Sequence, residues 1–282
     1  MNYSLSPREF ALLQKYIEEQ SGIELGEEKA YLIESRLSGL LGDYSLGSYE
    51  ELFYKAYSRK DLVFTRQVID AITTNETFWF RDKTPWYIME DIVLPQYIKE
   101  MQEGRRVNVR IWSCACSSGQ EPYSIAMSID SYLQKHGPGN IGLDHFQITA
   151  TDLSGAVLDL AKSGKYDSVS MERGLDPVMI DRYFTREGNM WSISARIKNA
   201  VDFRQFNLKT DPIYSQTYDI IFCRNVLIYF SELAKEKVLH RIVTALEPPG
   251  ALFIGASEII KDPPRILEMD TYKDGVYFKL KG

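Results

Sequence analysis

The residues whose types and spacing could do chemistry sit at the ends of three apolar runs. Val107-Asn108-Val109-Arg110-Ile111-Trp112 leads into small and polar residues, Ser113-Cys114-Ala115-Cys116-Ser117-Ser118-Gly119, and then into Gln120-Glu121-Pro122. Tyr123, Ile125, Ala126, Met127 and Ile129 begin a helical pattern, and Pro122 suits its first turn, where a missing N–H costs nothing. Strand, small-residue loop and helix N-terminus, in that order, describe a ligand crevice at the carboxyl end of a parallel strand. Small side chains let a ligand approach the backbone closely. The run Phe146-Gln147-Ile148-Thr149-Ala150-Thr151 ends in Asp152, where Rossmann-type folds place an acid that binds ribose hydroxyls. The run Tyr218–Cys223 ends in Arg224-Asn225. Neither G-x-x-x-x-G-K-[ST] nor the full G-x-G-x-x-G occurs, so a nucleoside without a large phosphate group fits better.

Composition removes several other chemistries. Three cysteines (Cys114, Cys116, Cys223) make no disulfide framework, Cys114-x-Cys116 is too close for usual zinc pairing, and His136, His145 and His240 are scattered. No metal site is expected. The net charge of −6 argues against a general nucleic-acid binder. The 282 residues hold no apolar run near membrane-span length, and Met1 to Phe10 lacks a signal pattern, so the chain reads as cytoplasmic.

The elements that must position these residues follow from period and caps. Ser6-Pro7-Arg8-Glu9 is a capping box opening a helix to about Gln20, with Phe10, Leu13 and Ile17 inward. Further helices are predicted over 27–41 (burying Tyr31, Ile33, Leu37 and Leu40), from Ser48 to Tyr57, and from Asp61 to Ile72. With no strand pattern before residue 100, residues 1–72 read as an all-helical domain. Residues 73–104 read as a linker segment and a helix that Pro95 bends. From 105 to 282 strands alternate with helices, which predicts an α/β domain with a mostly parallel sheet. A small β subdomain is expected at about 165–203, Pro248-Pro249-Gly250 as a turn, and a hairpin at 272–280 that makes one edge strand antiparallel.

Six stretches then carry a specific resemblance: TTNETFWFR (73–81), WSCACSSGQEPYSIA (112–126), TDLS (151–154), FNL (206–208), CRNVLIYF (223–230) and LFIGASE (252–258). In this order they resemble CheR-type chemoreceptor glutamate O-methyltransferases over almost the whole length. The resemblance implies a Rossmann-like class I fold and the cofactor S-adenosylmethionine, with S-adenosylhomocysteine as product. It implies cofactor contacts at Asn75, Thr77, Arg81, Glu121, Asp152, Asn207, Leu208, Arg224 and Asn225, and places Tyr229 as an aromatic lining the methyl-transfer site. Arg81 and Tyr229 are the expected orienting groups in catalysis. Each has a plainer reading: caps for Asn75, Thr77 and Asp152, a surface cation for Arg81, a core aromatic for Tyr229.

A glutamate acceptor has an ordinary pKa of about 4.3 and arrives ionised, so the chemistry asks for no general base. The implied partners are the cytoplasmic helices of methyl-accepting chemotaxis receptors, at receptor arrays. A methyltransferase for another protein or a small molecule, or a cofactor-binding regulator without turnover, stays open. Two departures from the family pattern bear on partners. Residues 1–70 hold 8 Lys+Arg against 12 Asp+Glu, so either a basic docking face persists locally (Lys29, Arg36, Arg59, Lys60, Arg66) or the acceptor differs from the usual receptor. The short turn Arg186-Glu187-Gly188-Asn189 leads us to expect no dependence on a receptor's C-terminal pentapeptide tail.

Overall fold

Local caps start the helices that the sequence leads one to expect. In the computed structural model, which describes residues 3–137, 139–213, 217–260 and 266–280, α1 (Pro7–Ser21) begins at a reciprocal Ser6–Glu9 capping box. After a single 3₁₀ turn come α2 (Ala30–Asp43), α3 (Tyr49–Tyr57) and α4 (Leu62–Ile72). The Ser48 and Asp61 side chains accept from Glu51 N and Phe64 N at the last two starts. Leu13, Ile17, Ile33, Leu37, Leu41, Leu52, Phe64 and Val68 form the core between these helices. Tyr31 is not in it. Residues 27–29 form the 3₁₀ turn, so the buried stripe of α2 is Ile33, Leu37 and Leu41, and Tyr31 is 62% exposed.

Residues 73–82 have no regular structure. The next helical stretch is interrupted as Pro95 implies. Helix α5 (Lys83–Ile88) passes through a π-helical turn (Met89–Val93) into α6 (Leu94–Gln102), whose second residue is Pro95. The wider turn accommodates the ring and the lost backbone donor.

The α/β part runs β1 (Val109–Cys114), α7 (Gln120–His136), β2 (Phe146–Asp152), α8 (Gly155–Ser163), β3 (Lys165–Asp167), α9 (Ser168–Glu172), α10 (Pro177–Tyr183), β4 (Phe184–Glu187), β5 (Met190–Ile193), α11 (Ala195–Lys198), β6 (Val201–Gln205), β7 (Tyr218–Cys223), α12 (Glu232–Thr244), β8 (Leu246–Ile254), β9 (Leu267–Tyr272) and β10 (Gly275–Leu280). Among the described residues the main sheet has the order β6-β2-β1-β7-β8-β10-β9. It is parallel except for β10, which runs antiparallel to both neighbours. This is a Rossmann-like sheet with the expected hairpin at its edge. A second sheet, β3-β5-β4, forms the inserted subdomain, and β6 returns to the main sheet.

Both faces of the main sheet are covered, so its strands alternate between two cores. Ile111, Ile220 and Phe222 pack on one side; Trp112, Ile221 and Cys223 pack on the other. Two strand expectations need correction. Val107 lies outside β1 and is 76% exposed. Pro248-Pro249-Gly250 lies within β8, where the pairing with β7 shifts register between Tyr218 and Ile220, so the prolines sit at an irregularity of the ladder. Pro138, read as part of the stop after α7, lies outside the described residues.

Candidate active site

Strand order reverses between β1 and β7, so their carboxyl ends diverge into a crevice. Cys114 and Cys223, the last residues of the two strands, are register partners at its floor. Burial pushes the Cys114 and Cys116 thiols well above their ordinary range, which keeps these two protonated and weakly nucleophilic. The loop after β1 holds Ala115 and Ser117 at φ of +54° and +50°, strained values for non-glycine residues of the kind that cluster at functional sites.

The crevice is lined by Asn75, Thr77, Arg81, Glu121, Asp152, Asn207, Leu208, Arg224, Asn225 and Tyr229. Segments far apart in sequence thus meet at one cavity. Ser21, Ile23, Phe78, Ser117, Phe206 and Phe230 are also part of the wall. A broader groove borders β6 and includes Arg110, Leu143 and Thr217, next to strand starts. It lies away from the carboxyl ends where open α/β sheets bind ligands.

Asp152 is buried. Its two oxygens accept from Ser117 N at 2.8 Å and Ser154 N at 2.9 Å. Burial pushes its carboxyl up, while these backbone donors pull against that. The cap of α8 is Ser154, whose hydroxyl accepts from Val157 N, so Asp152 is not spent as a helix cap. Ser117 works twice: its N–H holds Asp152 and its hydroxyl donates to Asn75 O at 2.8 Å. The loop after β1 is thereby tied to the segment after α4.

Arg224 joins three segments. Its guanidinium donates to Glu121 Oε2 at 2.8 Å, to Asp82 Oδ2 at 2.8 Å and to Arg81 O at 2.6 Å. Its side chain is only 1% exposed, and its buried Nε has no acceptor among the described residues. Glu121 also accepts from Ser113 Oγ at 2.7 Å. Burial pushes the Glu121 carboxyl up, with Arg224 and Ser113 opposing. These two charges hold the site together as much as they line it.

The Arg81 side chain is the opposite case. It donates to Glu76 O at 3.2 Å and stacks on Phe78, 5.2 Å from the ring centre. No described carboxylate pairs with it. Asn207 lines the cavity, but its side chain is already engaged, donating to Gln20 O and accepting from Lys209 N. Leu208 is buried, and its carbonyl accepts from Arg241. Asn225 adopts φ +57°. The Tyr229 carbonyl accepts from Glu24 N at 2.8 Å, beside a bridge between Ile23 and Phe230.

The helical domain therefore closes one side of the cavity, and Gly22 makes the junction. It lies at φ +84°, and a Cβ there would stand 2.4 Å from the Phe230 ring. Gly22→Ala is expected to destabilise the chain by about 1–3 kcal/mol and to weaken ligand binding in the cavity, as chemical denaturation and calorimetry would register. Arg36 belongs to this framework too. It donates to Ile72 O, Thr73 O and Thr74 Oγ1, so it anchors the start of the 73–82 segment. It is not part of a free basic face.

The sequence alone gives no role to Asp82, Ser117 or Glu258. Ser117 and Glu258 lie inside stretches that carry the family resemblance, and Asp82 is next to Arg81. Their roles depend on contacts with distant segments.

Comparison with known proteins matches this architecture over nearly the whole chain. A family model described as "CheR methyltransferase, SAM binding domain" matches residues 75–274, and one described as "CheR methyltransferase, all-alpha domain" matches residues 8–73. Chemotaxis protein methyltransferase Cher2 of Pseudomonas putida is 41% identical over 274 residues, covering 97% of this chain and 98% of that protein. Chemotaxis protein methyltransferase 1 of Pseudomonas aeruginosa is 41% identical over 279 residues, covering 99% and 100%. Among solved structures, a DhpI–SAH complex aligns at 14% identity with a TM-score of 0.32, covering 70% of each chain, and adds no weight to the assignment. On the family matches and these identities, the chain belongs to the CheR methyltransferase family.

Proposed function

We propose that this chain transfers a methyl group from S-adenosylmethionine to glutamate side-chain carboxylates of chemotaxis receptors, forming methyl esters. The observation that carries the reading is the near full-length identity to proteins named chemotaxis protein methyltransferases. Within the family reading, the cofactor contacts are assigned to Asn75, Thr77, Arg81, Glu121, Asp152, Asn207, Leu208, Arg224 and Asn225, and the orienting roles to Arg81 and Tyr229.

The residues of the cavity are chemically suited to this cofactor. Phe206, Leu208, Val226 and Phe230 offer apolar surface for a purine. Asp152 retains acceptor capacity for a ribose diol, because its two oxygens offer about four acceptor positions and Ser117 N and Ser154 N take one each. Arg81, without a carboxylate partner among the described residues, suits a carboxylate, and the unpartnered Arg224 Nε is a further buried donor. The cofactor supplies a sulfonium methyl: the S–CH₃ bond breaks as an acceptor oxygen forms the new O–CH₃ bond, and neutral S-adenosylhomocysteine leaves.

The chain's own work is positioning. A glutamate acceptor is ionised near neutral pH, so no residue need remove a proton. The cavity walls exclude water, and Arg81 and Tyr229 hold the reacting groups in line. Such orientation contributes roughly 7–11 kcal/mol in the best cases.

Asp152→Ala is expected to weaken S-adenosylhomocysteine binding about tenfold or more, measured by calorimetry. Unchanged affinity would remove Asp152 from the ribose site. Labelled methyl transfer to receptor-rich membranes, followed by treatment with base, tests the reaction itself. The expected product releases methanol, as a carboxyl ester does; label stable to base would mean an N-methyl product and another acceptor.

A further inference from the structure

The LFIGASE stretch ends in an acid that does not line the cavity. Glu258 is 9% exposed and forms no ion pair with any described cation. Its carboxylate is instead satisfied by backbone. Oε2 accepts from Asn225 N at 2.8 Å and Gly255 N at 2.7 Å; Oε1 accepts from Val226 N at 3.0 Å and Leu227 N at 2.7 Å. Three of these donors belong to the turn that follows β7. Asn225 there adopts φ +57°, and Leu227 starts a short 3₁₀ helix, Leu227–Tyr229, whose first N–H groups have no partner within the helix.

We infer that Glu258 is a positioning residue: its carboxylate fixes the 225–227 turn and thereby aims Asn225 and Tyr229 into the cavity. This rests on the assignment of that cavity to methyl transfer. The two loops touch closely. A Cβ on Gly255 would stand 2.7 Å from both Asn225 Nδ2 and Glu258 Oε2, and 2.8 Å from Asn225 N. On the far side the Tyr229 carbonyl is held by Glu24 N. The turn is thus clamped from the sheet side by Glu258 and from the helical side by Glu24. A carboxylate suits the first position because it is acceptor-only and can take two N–H groups on each oxygen.

The division of those bonds makes a sharp test. Glutamine has the same shape but one acceptor oxygen. Whichever way the amide of Glu258→Gln turns, its NH₂ faces two backbone N–H groups, either those of Asn225 and Gly255 or those of Val226 and Leu227. In the full-length variant, amide hydrogen exchange of one of these pairs is expected to accelerate about tenfold or more. The turnover number should fall about a hundredfold, with a smaller change in KM for S-adenosylmethionine. Glu258→Asp, which keeps both oxygens, should recover part of the turnover. If Glu258→Gln fails to fold, Gly255→Ala strains the same turn with the carboxylate present and should give the same exchange signature and turnover loss.

Unchanged exchange at residues 225–227 and 255 would overturn the inference. So would accelerated exchange with normal turnover, since the turn would then be held without serving the reaction. The exchange measurement needs no ligand. Failure of the wild-type chain to methylate receptors would therefore count against the functional reading and leave the Glu258 clamp to be judged by exchange.

Discussion

Arg224→Met is expected to cost the folded chain about 3–5 kcal/mol, far more than a residue that only touches a ligand. The substitution removes a buried guanidinium that serves Glu121, Asp82 and the Arg81 carbonyl together. The Asp82 side chain is 30% exposed and can turn to water, whereas that of Glu121 is 13% exposed and keeps Ser113 Oγ as its remaining side-chain donor. Uncompensated burial of that carboxylate dominates the loss. The double variant Arg224→Met with Glu121→Gln should consequently be less destabilised than the sum of the single variants, a coupling that a double-mutant cycle measures. Additive effects would mean that the two groups do not act on each other.

The same pair fixes the sign of a pH effect. Burial already pushes the Glu121 carboxyl up in the intact chain, against Arg224. Without Arg224 it rises further, so the folded state favours the protonated acid more than the unfolded state does. An acid with a raised folded pKa loses stability as pH climbs through the interval above its unfolded value of about 4.3. The deficit of Arg224→Met should be smaller at about pH 5 than at about pH 8, read from denaturant unfolding at both. A larger deficit in acid would contradict the assignment of the loss to Glu121.

These two residues also show where the sequence ceases to be informative. Caps and periods are local, so Ser6–Glu9, Ser48 and Asp61 announce their helices, and apolar runs ending in Asp152 and Arg224 announce the strands. The family resemblance then gathers distant motifs at one site. What it cannot supply is how a polar side chain divides its hydrogen bonds among segments over a hundred residues apart. Arg224 reads as a ligand contact, yet its guanidinium ties the 81–82 segment to α7. Asn207 reads the same way, yet its amide spans 187 residues to Gln20. Arg36 reads as part of a basic surface, yet it caps the end of α4. Tyr31 fails for a local reason: a 3₁₀ turn delays the start of α2, and the stripe Ile33, Leu37, Leu41 leaves Tyr31 on the other side.

Arg81→Ala should separate from Arg224→Met in every measurement. Its guanidinium makes one long bond to a carbonyl and a stack on Phe78, so truncation is expected to change stability by no more than about 1 kcal/mol. Methyl transfer, by contrast, should lose about 1.5–3 kcal/mol of transition-state binding, roughly ten- to a hundredfold in kcat/KM, because a charge-assisted bond to a carboxylate disappears. Arg81→Lys keeps the charge but not the planar fork, so it should recover only part of the loss. Calorimetry then identifies the carboxylate. Weakened S-adenosylhomocysteine binding assigns Arg81 to the cofactor's amino-acid end; unchanged binding with a raised KM for the methyl acceptor assigns it to the acceptor. Normal turnover together with normal cofactor affinity would take Arg81 out of the site, and the guanidinium would be left as a stacking partner that braces Phe78.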